Sequence, residues 1–375
     1  LLARAGSQVE REFYVNDASN ERQMRVFARS VFARYKQHFG KNDPLPDDGF
    51  PGEYVTEIAQ ELGAREGDKY LSLSPLEAIP VIEPLALAIM KEKQEATLQR
   101  FGIHFDHWFN ESSLHENGAV DTVLAGLAQS GSAEPRGNDG SLWLHSKRFG
   151  DEYDRPLRRA GGAPSYLAGD LAYHQDKIQR GYDRLINVWD HDHGGYVART
   201  RAGLAALGYE DAPLDIVVCD TVRYLKEGVE MKGRTGMVTL DELLETVGRE
   251  SARFFLTYTA CDAPLDLELD NLRPENAANP LQRIYNAQEQ CAKTLNAMPE
   301  ASAAPSAEIT ALEAQLNGYD NALTRATEAL APHYVAQYAA DLAGAYLACS
   351  VPGKTLTERT TATLTEALTL LGVAE

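Results

Sequence analysis

The stretch 164–199, P-S-Y-L-A-G-D-L-A-Y-H-Q-D-K-I-Q-R-G-Y-D-R-L-I-N-V-W-D-H-D-H-G-G-Y-V-A-R, restricts the fold more than any other part of the chain. It reads as a helix, a glycine stop at Gly181, a buried strand at 185–188 and then a polar, glycine-rich loop. Tyr166 and Asp170 stand four apart, so they share one helix face. The strand delivers Asp190, His191, Asp192 and His193 at its carboxyl end, which is where open α/β sheets bind ligands.

The flanking segments keep an α/β rhythm. A short strand at 12–15 precedes a helix with apolar positions Met24, Val26, Phe27 and Val31; helical stretches follow near 53–63 and 76–100. Pro80 and Pro84 are expected to fix the start of the second of these. The runs 42–49 and 130–140 read as loop and solvated turn, the latter leading into a strand at 141–144. Phe105, Trp108 and Phe109 are expected in the core of a buried strand and its flank. A helix at 200–207 and a strand at 214–218 continue the pattern. From about 266 the chain is nearly all helix-forming, with an Ala/Ser/Pro linker at 301–307.

With 375 residues, two domains are expected, one large α/β unit and one smaller helical unit. No apolar run is long enough to span a bilayer, and no secretory leader is expected. Cys219, Cys261, Cys291 and Cys349 are scattered without C-x-x-C spacing. They read as thiols in a reducing compartment, so the expected location is the cytoplasm. The net charge of −19 argues against a nonspecific nucleic-acid binder. A local basic track on an acidic protein is still compatible with binding RNA. From Asn271 onward six basic residues (Arg273, Arg283, Lys293, Arg325, Lys354 and Arg359) face eleven acidic ones, a poor footprint for gripping an RNA backbone.

The helix residues Tyr166, Asp170, Ala172, Tyr173 and His174, followed by Val188, Trp189, Asp192, His193, Gly195 and Tyr196, resemble the Y-F-A-x-D-x-A-Y-H and V-W-G-A-D-H-[HG]-G-Y motifs of the arginyl-tRNA synthetases. R-E-F-Y-V-N-D-A-S-N (11–20), F-P-G-E-Y (50–54), F-D-H-W-F-N-E-S-S-L (105–114), V-T-L-D-E-L (238–243) and A-P-L-D-L-E-L (263–269) fit the same family in the same order. Several spaced matches are far more specific than one motif, and nearly the whole chain is covered.

The resemblance implies an α/β fold: a class I synthetase Rossmann-like catalytic domain over 1–265, incomplete at its amino terminus. An insertion within 40–145 would help position the acceptor end of tRNA. An all-α, anticodon-binding-type bundle over 266–375 would follow. The segment 332–346 resembles a helix of that bundle, with Tyr334, Tyr338 and Tyr346 expected in its core. The implied enzyme is an arginine–tRNA ligase: arginine and ATP, the latter with Mg2+, give arginyl-adenylate, and the arginyl group passes to tRNA. A monomer is expected.

The site follows from the same likeness. Asp170 would bind the guanidinium through two parallel charge-assisted hydrogen bonds, with Tyr166 beside it. Asp192, His193 and Gly195 would hold the nucleoside. Met231, Lys232, Gly233 and Arg234 would form the phosphate-side loop, whose cations stabilise charge building on pyrophosphate. His191, Asp192 and His193 lie too close together in sequence to face one ion easily, so no metal site is assigned there.

Several positions depart from the family. Asp190 replaces a glycine, which would put a side chain and its charge near the nucleotide. Glu230 replaces the first lysine of the mobile loop. Ala160, Gly161 and Gly162 replace S-D-G. Asn279–Gln290 runs N-P-L-Q-R-I-Y-N-A-Q-E-Q in place of N-P-V-Y-Y-V-Q-Y-A-H-A-R. No H-x-G-H occurs in the 375 residues; the resemblance puts it before residue 1. The chain is therefore expected to be a fragment, or else a shortened, non-catalytic paralogue acting as a binding or regulatory module. Losing such phosphate donors costs about 2.7–4 kcal/mol each, so these residues alone should be nearly inert. An unrelated Rossmann-type binder would need a G-x-G-x-x-G after a strand, which is missing.

Overall fold

The computed structural model describes residues 1–18, 21–231, 238–273, 276, 279–297, 306–350 and 352–374. By packing the chain forms two compact units: 10–92 with 105–219, and 1–9 with 93–104 and 220–375. The division at 265/266 concerns inherited modules and stays a proposal; these packing units run across it.

In the first unit, β1 (Glu12–Val15) is followed by α1 (Glu21–His38), α2 (Glu53–Glu66) and α3 (Pro75–Phe101), whose residues from 93 on belong to the second unit, before β2 (His107–Asn110). β1 and β2 pair in parallel, Glu12 opposite His107 and Val15 opposite Asn110, so the chain between them has to cross over. The helices do so by burying a core of their own, with Val31, Tyr35, Val55, Ile58 and Ile82 inaccessible to solvent. Val26, Phe27 and Val31 of α1 face inward as expected. Pro80 and Pro84 lie inside α3, not at its start, and Pro75 opens it. Both internal prolines are exposed. The carbonyls they leave unpaired on that face can bond water, which reduces the usual penalty.

Next come α4 (Ser112–Glu116), α5 (Ala119–Gln129), β3 (Ala133–Pro135), β4 (Leu142–Leu144) and β5 (Arg155–Arg158). The last three form an antiparallel sheet. β3 falls in the run read as solvated turn; its pairing to β4 overrides the polar local composition. Then α6 (Tyr166–Gln179), β6 (Leu185–Asp190), α7 (Tyr196–Ala206) and β7 (Leu214–Cys219) complete the unit. β6 and β7 are parallel and in register from Leu185–Leu214 to Asp190–Cys219. Gly181, at φ 82°, ends α6, and Leu167, Leu171 and Ala172 bury one α6 face against α5 and the β3–β5 sheet.

The second unit opens with β8 (Val222–Lys226) and β9 (Val229–Glu230), a hairpin whose turn residues Glu227 and Gly228 both have positive φ. That is the twist a two-residue hairpin requires. The Glu268 carboxylate accepts both turn amides at 2.9 Å, which offsets the strain at Glu227. Helices α8 (Leu240–Val247) and α9 (Arg249–Tyr258) lead to β10 (Leu265–Glu268), which pairs in parallel with β8. Thr239 and Glu242 close a reciprocal cap on α8.

The remaining helices are α10 (Pro280–Ala297), α11 (Ala307–Asn317), α12 (Tyr319–Glu328), α13 (His333–Ala348) and α14 (Lys354–Leu370). Asn279 caps α10 through Leu281 and Gln282 amides, with Pro280 in the first helical position. α13 is the bundle's central helix: Tyr338 and Tyr346 are core, and Tyr334 sits at its edge under the Arg325 guanidinium. Positions 301–305 of the expected linker lie outside the described residues; Ser306 caps α11.

Candidate functional site

The site grows from α6 and the carboxyl ends of β1, β2 and β6. Tyr173 of α6 packs against Tyr14 at 4.6 Å and Phe109 at 4.8 Å between ring centroids, which ties the helix to the β1–β2 pair. Its hydroxyl and the Arg180 guanidinium both donate to Glu12. Two further α6 residues reach β6. Lys177 Nζ donates to Asn187 Oδ1 at 2.6 Å, and Asn187 Nδ2 donates to His174 Nε2 at 2.6 Å. The lysine can only donate, so it fixes which way the amide points. His174 Nε2 must then accept, and its Nδ1–H donates to the Asp170 carbonyl at 2.6 Å. Burial, then the Lys177 charge, holds His174 down to about 3, so the ring is neutral. Burial also pulls Lys177 down to about 8.

This frame holds Asp170 in a desolvated place. Burial, then the charge of Glu111, pushes its carboxyl up to about 6; His193, Lys177 and Arg199 pull the other way. Among the described residues no donor hydrogen-bonds the Asp170 carboxylate. Glu111 is 3% exposed, accepts a hydrogen bond from the Tyr14 hydroxyl, and lies so near α6 that a Cβ on Gly169 would meet its Oε1 at 3.1 Å. Two carboxylates therefore share one corner, Glu111 buried and Asp170 half-buried. Tyr166, four residues before Asp170, is 40% exposed, with the Arg159 guanidinium 5.4 Å from its ring centre. A planar cation already rests against that ring.

Beyond β6, Asp190 caps the one-turn helix His191–His193. Its Oδ1 accepts from the His193 amide at 3.2 Å and lies 2.7 Å from His193 Nδ1. The carboxylate is thus turned back on its own loop, and His193 holds it below the usual range. Asp192, His193 and Gly195 are exposed on the loop, and Gly195 caps α7. The Trp189, His193 and Tyr196 rings follow one another at 6.2 and 5.5 Å.

Of the phosphate-side loop, Met231 is described: its amide bonds the Tyr224 carbonyl at 2.7 Å, and its side chain joins the Leu243–Leu267 core of the second unit. Lys232, Gly233 and Arg234 lie outside the described residues. Among the described residues no group of three or more His, Cys, Asp or Glu side chains is gathered to hold a metal ion, and no helix is long and apolar enough to cross a membrane.

Glu111 was not singled out from the sequence, although it sits inside the F-N-E-S-S-L match; an acid after a strand reads equally well as a helix-start residue. Lys177 and Asn187 carried no signal, since a lysine near a helix end reads as solvated.

The chain is 38% identical over 368 residues to the arginine–tRNA ligase of Heliobacterium modesticaldum, covering 92% of this chain and 64% of that protein. It is 38% identical over 403 residues to the arginine–tRNA ligase of Desulforudis audaxviator, covering 100% and 71%. A solved chain from Campylobacter jejuni assigned to the arginyl-tRNA synthetases superposes with a TM-score of 0.87 at 26% identity, over 100% of this chain and 86% of that one. No family model matches. The chain spans 64% and 71% of the length of these two curated relatives. Its fold is that of the class I aminoacyl-tRNA synthetases. Being 38% identical to the Desulforudis audaxviator protein over 71% of its length, the chain belongs to the arginine–tRNA ligase family.

Proposed function

We propose that this chain carries the arginine socket and nucleoside loop of an arginine–tRNA ligase. The whole enzyme would join arginine to ATP, releasing pyrophosphate, and then move the arginyl group to the terminal ribose of tRNA. The observation that supports this best is Asp170: a desolvated carboxylate with no donor of its own among the described residues, beside buried Glu111. The charge of Glu111 disfavours that of Asp170, and a permanent cation reverses that balance. A guanidinium fits because it stays charged and offers a flat array of five donors. Asp170 takes the bidentate pair, Glu111 adds a second acceptor and Tyr166 covers the flat face. Asp192, His193 and Gly195 line the nucleoside side, where the backbone at Gly195 lets a ribose approach closely. Met231, Lys232, Gly233 and Arg234 serve the phosphates. Mg2+ would arrive with ATP as part of the substrate. The compartment is the cytoplasm.

Calorimetric titration of the 375-residue chain with arginine tests the socket. Losing one charge-assisted contact costs about 1.5–3 kcal/mol, so Asp170→Asn should weaken binding by about ten- to 150-fold. Undiminished affinity in that variant would remove Asp170 from the role.

A further inference from the structure

We propose that Arg199 binds an oxyanion at the reacting end of the substrates, either the carboxylate of arginine or the α-phosphate of the nucleotide. This inference rests on the arginine–tRNA ligase reading, which seats the substrate guanidinium at Asp170 and the nucleoside at the loop of Asp192, His193 and Gly195. Arg199 lies four residues after Gly195 and three after Tyr196, so the three share one face at the start of α7. Helical side chains lean toward the amino end of their helix, and this one does. Its Nη2 would lie 3.9 Å from a Cβ added to Gly195, and its Cζ stands 4.2 Å from the centre of the Tyr196 ring. The guanidinium is thus pinned against the loop, next to the row of Trp189, His193 and Tyr196 rings.

That position leaves it without an acceptor. Arg199 is half-buried and forms no hydrogen bond or ion pair among the described residues, and its Nε is shielded from solvent with no partner. Two acids are near enough for its charge to act on them, Asp151 and Asp170. Asp151 is already taken: it accepts two bonds from the Arg155 guanidinium, at 2.7 and 2.9 Å, and one from the Glu152 amide at 2.7 Å. Asp170 is the carboxylate on which the reading seats the substrate. A guanidinium stays charged at every working pH, so one that is partly desolvated and unpaired is costly to keep. An oxyanion over Gly195 removes that cost.

The place selects the anion. An arginine held at Asp170 by its guanidinium points its carboxylate away from that acid. The carboxylate must meet the α-phosphate of a nucleotide whose nucleoside lies on the Gly195 loop. The two reacting groups therefore come together between Asp170 and Gly195. Arg199 answers to both ends of that gap, since its charge acts on Asp170 and its fork lies against Gly195. The flat fork of a guanidinium matches a carboxylate and a phosphate alike, so the chemistry is shared and the two sources are separated by ligands that lack one or the other.

The test titrates the 375-residue chain, wild type and R199Q, with two ligand pairs by calorimetry. The pairs are arginine with agmatine, which lacks the carboxylate, and AMP with adenosine, which lacks the phosphate. In the wild type the anionic member of at least one pair should bind about tenfold more tightly or better, as one charge-assisted contact gives. In R199Q that preference should fall about tenfold, with agmatine and adenosine bound as before. A fall confined to the arginine–agmatine ratio identifies the carboxylate; one confined to the AMP–adenosine ratio identifies the phosphate. Unchanged ratios in R199Q would overturn the proposal, and so would an equal weakening of all four ligands, the mark of a general disturbance of α7. Should R199Q not fold, R199K carries the test: it keeps the charge without the flat fork, so the same ratio should fall by a smaller factor, and an unchanged ratio overturns the proposal. Agmatine and adenosine both binding with no dependence on Arg199 would sink this role and leave the socket and loop standing. Wild-type chain that binds neither would sink the arginine–tRNA ligase reading itself, and this inference with it.

Discussion

With its carboxyl pushed up to about 6, Asp170 holds its proton more tightly than an ordinary aspartate does. A guanidinium binds the ionised form, so arginine binding should expel a proton near that pH. Affinity should be level above about pH 7 and fall roughly tenfold per unit below about 6. Asp170→Asn should bind weakly with no such slope, and calorimetry in buffers of different ionisation heat reads the proton directly. The same shift acts oppositely on the empty protein. The folded state retains the proton to a higher pH than the unfolded chain, so stability declines as pH rises from the ordinary aspartate range through 6. Asp170→Asn should therefore raise the unfolding free energy at pH 7 by roughly 1–3 kcal/mol and change it little at pH 4, as denaturant titration at the two pH values reads. A variant that is more stable yet binds less arginine is the behaviour of a site residue; a merely structural aspartate would lose both. That Asp170 and Tyr166 stand on one face of α6 was legible because i and i+4 must share a face. Glu111 was not, because its partnership with Asp170 crosses from a β2 terminus to α6, and no local spacing encodes that approach.

At the scale of elements, α6 is held from two sides, by α7 and by β6. Gly203 of α7 sits against buried Leu171, where an added Cβ would lie 2.4 Å from a leucine methyl. Leu171 has no free volume to yield, so Gly203→Ala should cost about 1–3 kcal/mol by overpacking and push α6 outward. A lower thermal midpoint with weaker arginine binding would bear this out; an unchanged midpoint would show that the helices slide apart freely. On the other side, Lys177 is held to about 8 by burial. The unfolded chain then binds the extra proton between about pH 8 and 10, so stability should rise with pH across that window. In Lys177→Met this rise should vanish, as urea midpoints at pH 7.5 and 10 would reveal. The strands β1, β6 and β7 and most helices were readable from periodicity and glycine stops. The start of α3 differs from the expected one for a clear reason: proline is an opening signal in sequence, but exposed prolines are tolerated within a long helix whose other face is packed. β3 was hidden because Ala133, Glu134 and Pro135 owe their extension to β4.

On the proposed reading, binding and chemistry separate at the scale of the whole molecule. The desolvated acids and the loop of Asp192, His193 and Gly195 belong to the unit built of 10–92 and 105–219, which has its own cores. On the proposed reading, recognition of the cation falls to those carboxylates. Adenylate formation needs more, because negative charge builds on departing pyrophosphate and must meet donors already in place. The resemblance assigns some of them to an H-x-G-H, which these 375 residues do not contain, and it matches Glu230 to the first lysine of the mobile loop. At about 2.7–4 kcal/mol per missing donor, the loss is roughly two to three orders of magnitude for each. ATP–pyrophosphate exchange by the 375-residue chain should therefore be near background while arginine still binds. Turnover resembling that of the full-length relatives would mean that donors elsewhere in the chain do this work. Glu230→Lys offers a second reading of the same balance: exchange rising above background in that variant would show that charge at the loop, and not arginine recognition, sets the limit.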